Sequence, residues 1–168
     1  MITFRDLKAD EIDVRIQSTR QNGVVLLLYK DARVDMNILD ETVGAENWQR
    51  THELINGNLF CNIGIKVDGG EWVWKQDVGT ESNTEKEKGQ ASDSFKRAGF
   101  NWGIGRELYT SPFIWVGADK CNIKDGKCYD AFEVEKIRIE NKQITGLSII
   151  NSKTKTRVFV WQKEGVQK

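Results

Sequence analysis

The side chains best placed to do chemistry in this sequence are two adjacent cations, Lys96 and Arg97, within the stretch 85–109, EKEKGQASDSFKRAGFNWGIGRELY. Ala91, Phe95, Ala98 and Trp102 recur there at i, i+4, i+7 and i+11, one apolar stripe on a 3.6-residue period. Lys96 and Arg97 flank that stripe. A docked helix would therefore present two positive charges at the edge of its buried face, where a groove for a phosphate backbone can begin. The same residues equally suit an ordinary solvated helix face, the commonest fate of charged helical positions. Asp93 lies one turn before Arg97 and is spaced to orient it through an i,i+4 pair.

Other chemistry is poorly represented. There is no GxxxxGK[ST] phosphate loop and no HExxH, GxSxG or zinc-deaminase signature. Gly103-Ile104-Gly105 closes a helical segment instead of joining a strand to a helix, so it is not a dinucleotide fingerprint. Glu71, Asp77 and Glu81 are the carboxylates that a magnesium-dependent nuclease would need, but their spacing fits solvated strand ends better. His52 alternates with Trp48, Arg50 and Leu54 and reads as structural. Cys61, Cys121 and Cys128 form no CxxC, and with one histidine in the chain reduced thiols are expected. No catalytic residue, metal or cofactor is expected; binding is.

Twenty-five basic against 25 acidic residues give a formal charge of zero, which argues against coating nucleic acid by bulk charge but not against a local basic groove. Six tryptophans are many for 168 residues. Base-stacking platforms are built from such residues, although core positions are the expectation for most of them. No apolar run is long enough for a membrane span, the longest being the strand-sized 24–29, and residues 1–13 lack the apolar core of a secretory signal. A cytoplasmic address is the expectation, the host cytoplasm if the protein is phage-encoded.

The elements that must position the cations read as follows. A short N-terminal helix precedes a strand at Val14–Gln17 and a buried strand at Val24–Tyr29. Asp31 caps a helix with Ala32, Met36, Leu39 and Val43 in its stripe and Gly44 as its stop. Trp48–Ile55 and Leu59–Val67 form a hairpin through Asn56-Gly57, the second strand burying Leu59, Cys61, Ile63, Ile65 and Val67. Glu71–Val78 follows with Trp72 and Trp74 on one face, and then the long helix. After Pro112 come strand signals at 113–116, 132–139, 143–150 and 157–162. The expected fold is α+β: a three-stranded antiparallel meander packed on a long helix, with a β-rich C-terminal extension. Residues 1–112 form the core and 113–168 extend the same domain.

Tyr29-Lys30-Asp31-Ala32-Arg33-Val34, Asp40-Glu41-Thr42-Val43-Gly44 and Asn47-Trp48 resemble the opening of the Rad-fifty-two/twenty-two superfamily annealing domain. Asp77-Val78-Gly79-Thr80, Glu85-Lys86, the block 90–98 (QASDSFKRA), Asn101-Trp102-Gly103-Ile104-Gly105 and Leu108-Tyr109 continue the pattern in order. The resemblance runs from about Arg15 to Tyr109 and is strongest to compact phage Sak-type annealing proteins and the bacterial DNA-damage protein DdrA. It implies a β-β-β-α core, assembly into homo-oligomeric rings or filaments, and ATP-independent pairing of complementary single DNA strands in recombination and repair. It also implies a DNA-binding groove carried by Lys96 and Arg97, an arginine on an early strand matched by Arg15 (or, with a shifted loop, Arg20), and Tyr29. Lys86 and Lys88, on the same helix, are candidates for a second DNA site. The partners implied are single-stranded DNA and further copies of the chain, with a single-strand-binding protein as a candidate, and no membrane. Where eukaryotic members carry another basic residue one turn past the pair, this chain has Phe100.

Helix, three-stranded meander, helix is also the layout of a double-stranded RNA-binding domain, which would act as a monomeric binding module. A metal-dependent nuclease and a purely structural oligomer remain as further classes.

Overall fold

The structure, a computed structural model, describes residues 1–80 and 86–165. Its elements are β1 (Asp13–Arg20), β2 (Gly23–Tyr29), α1 (Ala32–Val43), β3 (Trp48–Ile55), β4 (Asn58–Lys66), β5 (Trp72–Val78), α2 (Lys86–Trp102), β6 (Ile114–Gly117), β7 (Ile123–Lys124), β8 (Lys127–Cys128), β9 (Phe132–Glu140), β10 (Gln143–Asn151) and β11 (Thr156–Gln162). They fall into two compact units. The first holds Met1–Arg5 and Asp31–Arg106, the second Asp6–Lys30 and Glu107–Lys168.

In the first unit β3, β4 and β5 form an antiparallel sheet in that order. Asn56 and Gly57 both have positive φ, 52° and 78°, which is the twist a two-residue hairpin turn needs. The alternation along β4 sends Cys61, Ile63 and Ile65 to one face, each fully buried, where α2 covers them with Phe95 and Ala98, also fully buried. Burying each of the larger side chains is worth about 1.5–3 kcal/mol. Asp31 caps α1 by accepting the Arg33 N–H at 2.8 Å, and Gly44 ends the helix with φ 89°. The buried line of α1 is Asp35, Ile38 and Leu39. The expected stripe of Ala32, Met36, Leu39 and Val43 is thus rotated, because a buried carboxylate takes a position that hydrophobicity alone gives to a neighbour.

The second unit contains a six-stranded sheet of order β11-β10-β9-β1-β2-β6 and the small hairpin β7-β8. β1 pairs with β2 from Asp13↔Tyr29 to Arg20↔Gly23, with a bulge between Ile16 and Ser18. β1 thus runs beyond the expected Val14–Gln17 as far as Arg20, with Gln21 and Asn22 forming the turn into β2. The edge strands β11 and β6 come back against each other, so the sheet nearly closes into a barrel. Its interior is built from Val24, Leu26, Ile114, Val116, Val134, Ile144, Leu147, Ile149 and Val158, all buried.

This overturns the expected fold class. The chain is mostly β, and its largest element is the nearly closed six-stranded sheet, not a helix-packed three-stranded core with strands appended. The cause is pairing at long sequence separation. β2 bonds to β6 through Val24↔Val116, and β1 meets β9 at Asp13↔Glu133, so the early strands belong with the late ones. The N-terminal helix is also reduced to a single 3-10 turn at Ala9–Glu11. Most of the tryptophans were expected in the core, but none is fully buried; Trp72 and Trp74 are 38% and 43% exposed. Among the described residues no helix is long and apolar enough to cross a membrane.

Candidate nucleic-acid interface

α2 is held against the sheet at several points. The Trp102 indole N–H donates to the Ile63 carbonyl at 3.0 Å, and the Trp48 ring lies 6.0 Å from that of Phe95. The helix ends where Gly103 turns to φ 95°, with Gly103 N–H bonded to Phe100 O and Ile104 N–H to Gly99 O, the paired bonds of a Schellman stop. Near its start α2 meets the exit of β5 so closely that a Cβ on Gly79 would fall on the Gln90 carbonyl and the Ser94 nitrogen. Only glycine fits there.

That close approach sets the geometry of Arg97. Thr80, next after Gly79, donates its N–H at 2.8 Å and its hydroxyl at 3.1 Å to Oδ2 of Asp93. The same Oδ2 accepts Nε of Arg97 at 3.1 Å, the i,i+4 contact anticipated from spacing. The two side chains are 40% and 30% exposed. Among the described residues Arg97 makes its ion pair through Nε. Lys96 is half-buried on the flank of α2 that faces α1, where Gly99 packs on the Asp35 carboxylate. The Asp31 carboxyl is held below its usual range, chiefly by the Arg33 side chain and then its N–H, with Lys96 adding a smaller attraction. Lys88 is exposed; Lys86 opens the helix, but its side chain, like the whole of Glu81, lies outside the described residues.

In the second unit Arg15 stands opposite Leu27 on β2, which places it diagonally across from Tyr29 on the same face. Its guanidinium carbon is 5.9 Å from the Tyr29 ring centre, a cation–π distance, and Tyr29 is 39% exposed. Arg20 sits at the other end of the hairpin, opposite Gly23. Arg15, not Arg20, is therefore the arginine beside Tyr29. The structure brings Lys96 and Arg97 together on α2, and Arg15 and Tyr29 together on β1 and β2; the two pairs belong to different units.

Two further cations of the first unit are not among the DNA-binding candidates drawn from the sequence. Arg33 projects from the first turn of α1 with its side chain 82% exposed, paired with Asp31 at 2.9 Å. Arg50 stands opposite Ile63, on the helix-covered face of the sheet, with its guanidinium 4.6 Å from the Phe95 ring centre. No local pattern marks Arg50. The hairpin register would have found it, since Asn56-Gly57 fixes which β3 residues share a face with Ile63. His52, two residues on, contacts the Ser94 hydroxyl at 3.4 Å; burial and then the Arg50 charge lower its pKa and favour the neutral ring. Asp77 accepts the N–H of Val78 at 2.7 Å, and among the described residues no three His, Cys, Asp or Glu side chains cluster as a metal would require.

No family model matches the chain. Over 106 residues it is 30% identical to the single-stranded DNA-binding protein DdrA of Deinococcus radiodurans, a match covering 61% of this chain and 49% of that protein. The chain thus spans about half the length of the curated relative to which it is similar.

Proposed function

We propose that this protein binds single-stranded DNA along its phosphate backbone and pairs complementary strands without nucleotide hydrolysis, as a homo-oligomeric ring or filament serving recombination or repair. The similarity to a single-stranded DNA-binding protein carries the reading. The geometry around α2 supports its chemistry. Duplex formation is downhill, so the protein need only hold strands extended with their bases exposed, which Lys and Arg contacts to phosphate do without reading sequence. Lys96 and Arg97 supply two such contacts, and Arg15 with Tyr29 supplies a cation beside an aromatic face. No step asks for a nucleophile or a metal, and the protein acts as a binder, not an enzyme. Phage origin and a single-strand-binding partner protein belong to the same reading.

The test mixes complementary fluorescent oligonucleotides with the protein in the absence of ATP. Wild type accelerates duplex formation, and the Lys96→Ala/Arg97→Ala double variant does not. No acceleration by folded wild type would overturn the annealing function. A second reading draws on the order α1, β3, β4, β5, α2 in the first unit, which is that of a duplex-RNA-binding module. Competition by duplex RNA, stronger than by single-stranded DNA, would favour it.

A further inference from the structure

The face of the β3-β4-β5 sheet turned away from α2 carries two indoles in an unusual setting. Register places Gly64 opposite Trp74 and Lys66 opposite Trp72. A Cβ built on Gly64 would lie 2.8 Å from Cε3, Cζ3 and Cη2 of Trp74 alike. Three ring carbons at one distance mean that the six-membered ring lies flat over the glycine. One π-face therefore seals the Gly64 backbone, which is buried, while Trp74 remains 43% exposed. The Trp72 ring is 6.2 Å away, tilted by only 30°, and 38% exposed. The two rings lie side by side as one aromatic surface. Asn62 and Gln76, opposite each other in the register, share this face, where the Asn62 amide donates to the Glu53 carboxylate at 3.2 Å, and Lys66 places a cation beside Trp72.

We infer that Trp72 and Trp74 form a stacking platform for two bases of single-stranded DNA, with Lys66 against the flanking phosphate; the inference rests on the proposed DNA-binding function. Indole faces stack on any base, which suits a protein that does not read sequence. The 6.2 Å separation is about twice the roughly 3.4 Å step between bases along one strand of a duplex, so the rings match successive bases of a stretched strand. The neighbours also favour DNA over a second copy of the chain. The centre of a protein–protein interface is depleted in charge, whereas Lys66 adjoins Trp72 and the Glu53 carboxylate lies on the same face beside Asn62.

The test measures binding of labelled oligothymidylate, and of an abasic oligomer of equal length, by fluorescence anisotropy at several salt concentrations. Wild type binds the normal oligomer more tightly than the abasic one. Trp72→Ala and Trp74→Ala each weaken normal-oligomer binding by roughly 5- to 150-fold, the range for one stacked base, without changing the salt slope. Trp74→Phe, which keeps a ring over Gly64, restores much of the affinity and guards against a folding artefact. A wild type that binds neither oligomer defeats the DNA-binding function itself. Equal wild-type affinity for both oligomers, or alanine variants that bind normally, overturns the platform alone. Alanine variants that change sedimentation but not the preference for bases would make the face an interface between copies and also overturn it.

Discussion

The double substitution Lys96→Ala/Arg97→Ala should flatten the salt dependence of single-strand binding by about 1.4 log–log units, taking roughly 0.7 per phosphate contact on a single strand. Between about 50 and 200 mM salt, wild type would then lose roughly sevenfold more affinity than the variant over the same range. The structure bounds the cost to folding. Arg97 is joined to Asp93 by an i,i+4 pair in which both side chains are partly exposed, and such a pair is worth about 0.3–0.5 kcal/mol. Asp93 keeps its two bonds from Thr80 when Arg97 is lost. For a chain of this size loss of the Arg97 pair should lower the melting temperature by only about 1–2 °C, and the melt of the Lys96→Ala single variant measures the share of half-buried Lys96. The assay is anisotropy of a labelled oligothymidylate at five or more salt concentrations, with a thermal melt of each variant. A variant that folds as wild type and keeps the wild-type slope would remove both residues from the DNA path.

Three other perturbations test the surroundings. Asp93→Asn removes a carboxylate that competes with phosphate for Arg97; a like-sized charge term of about 1 kcal/mol at contact distance in water predicts roughly fivefold tighter binding at low salt. Weaker binding in the same anisotropy assay would show instead that orientation of Arg97 by Asp93 matters more than charge. Gly79→Ala sets a Cβ into the backbone of α2 at Gln90 and Ser94, so overpacking should cost about 1–3 kcal/mol and lower the melting temperature by roughly 2–12 °C. An unchanged melt would mean that the β5 exit and α2 are not held together there. In the second unit the Arg157 side chain, bonded at 2.7 Å, holds the Glu135 pKa down at about 2, against 4.5 for an unperturbed carboxyl. Because the folded value is the lower one, the contribution is present above about pH 4.5 and lost as pH falls towards 2. Arg157→Ala should therefore flatten the acid limb of stability within that window while barely altering it at lower pH, which denaturant titrations at stepped pH would detect.

How much of this molecule could be read from the chain depended on the distance between partners. The α1 cap at Asp31, its stop at Gly44, the Asn56-Gly57 hairpin and the alternation along β4 rest on contacts within a few residues, and each was legible. The pairings of β2 with β6 and of β1 with β9 join residues about a hundred positions apart, and hydrophobic periodicity carries no partner information over that span. The fold class failed for that reason. At the site, Asp93–Arg97 was legible as an i,i+4 spacing, but the bonds from Thr80 were not, since they depend on the bare Gly79 backbone meeting α2. Trp72 and Trp74 were seen to share a face. Which face stayed open was decided by α2, which covers the opposite side of the sheet, and by Gly64, whose missing side chain lets Trp74 lie flat.

A protein that anneals strands must grip them weakly enough to release a duplex, and the charge arrangement bears on that requirement. The chain is formally neutral, and several of its exposed arginines are already held by carboxylates: Arg97 by Asp93, Arg33 by Asp31, Arg157 by Glu135. A phosphate approaching such an arginine replaces one anion with another, so the electrostatic gain is smaller than at an unpaired cation. The internal carboxylate also holds the guanidinium in place when DNA is absent, which lowers the ordering cost of binding. A basic patch without such partners would bind more tightly and with a steeper salt dependence, and would hold its product. Under the proposed function, therefore, the acidic partners are as much a part of the site as the cations, with Asp93 the position at which affinity and release are most directly opposed.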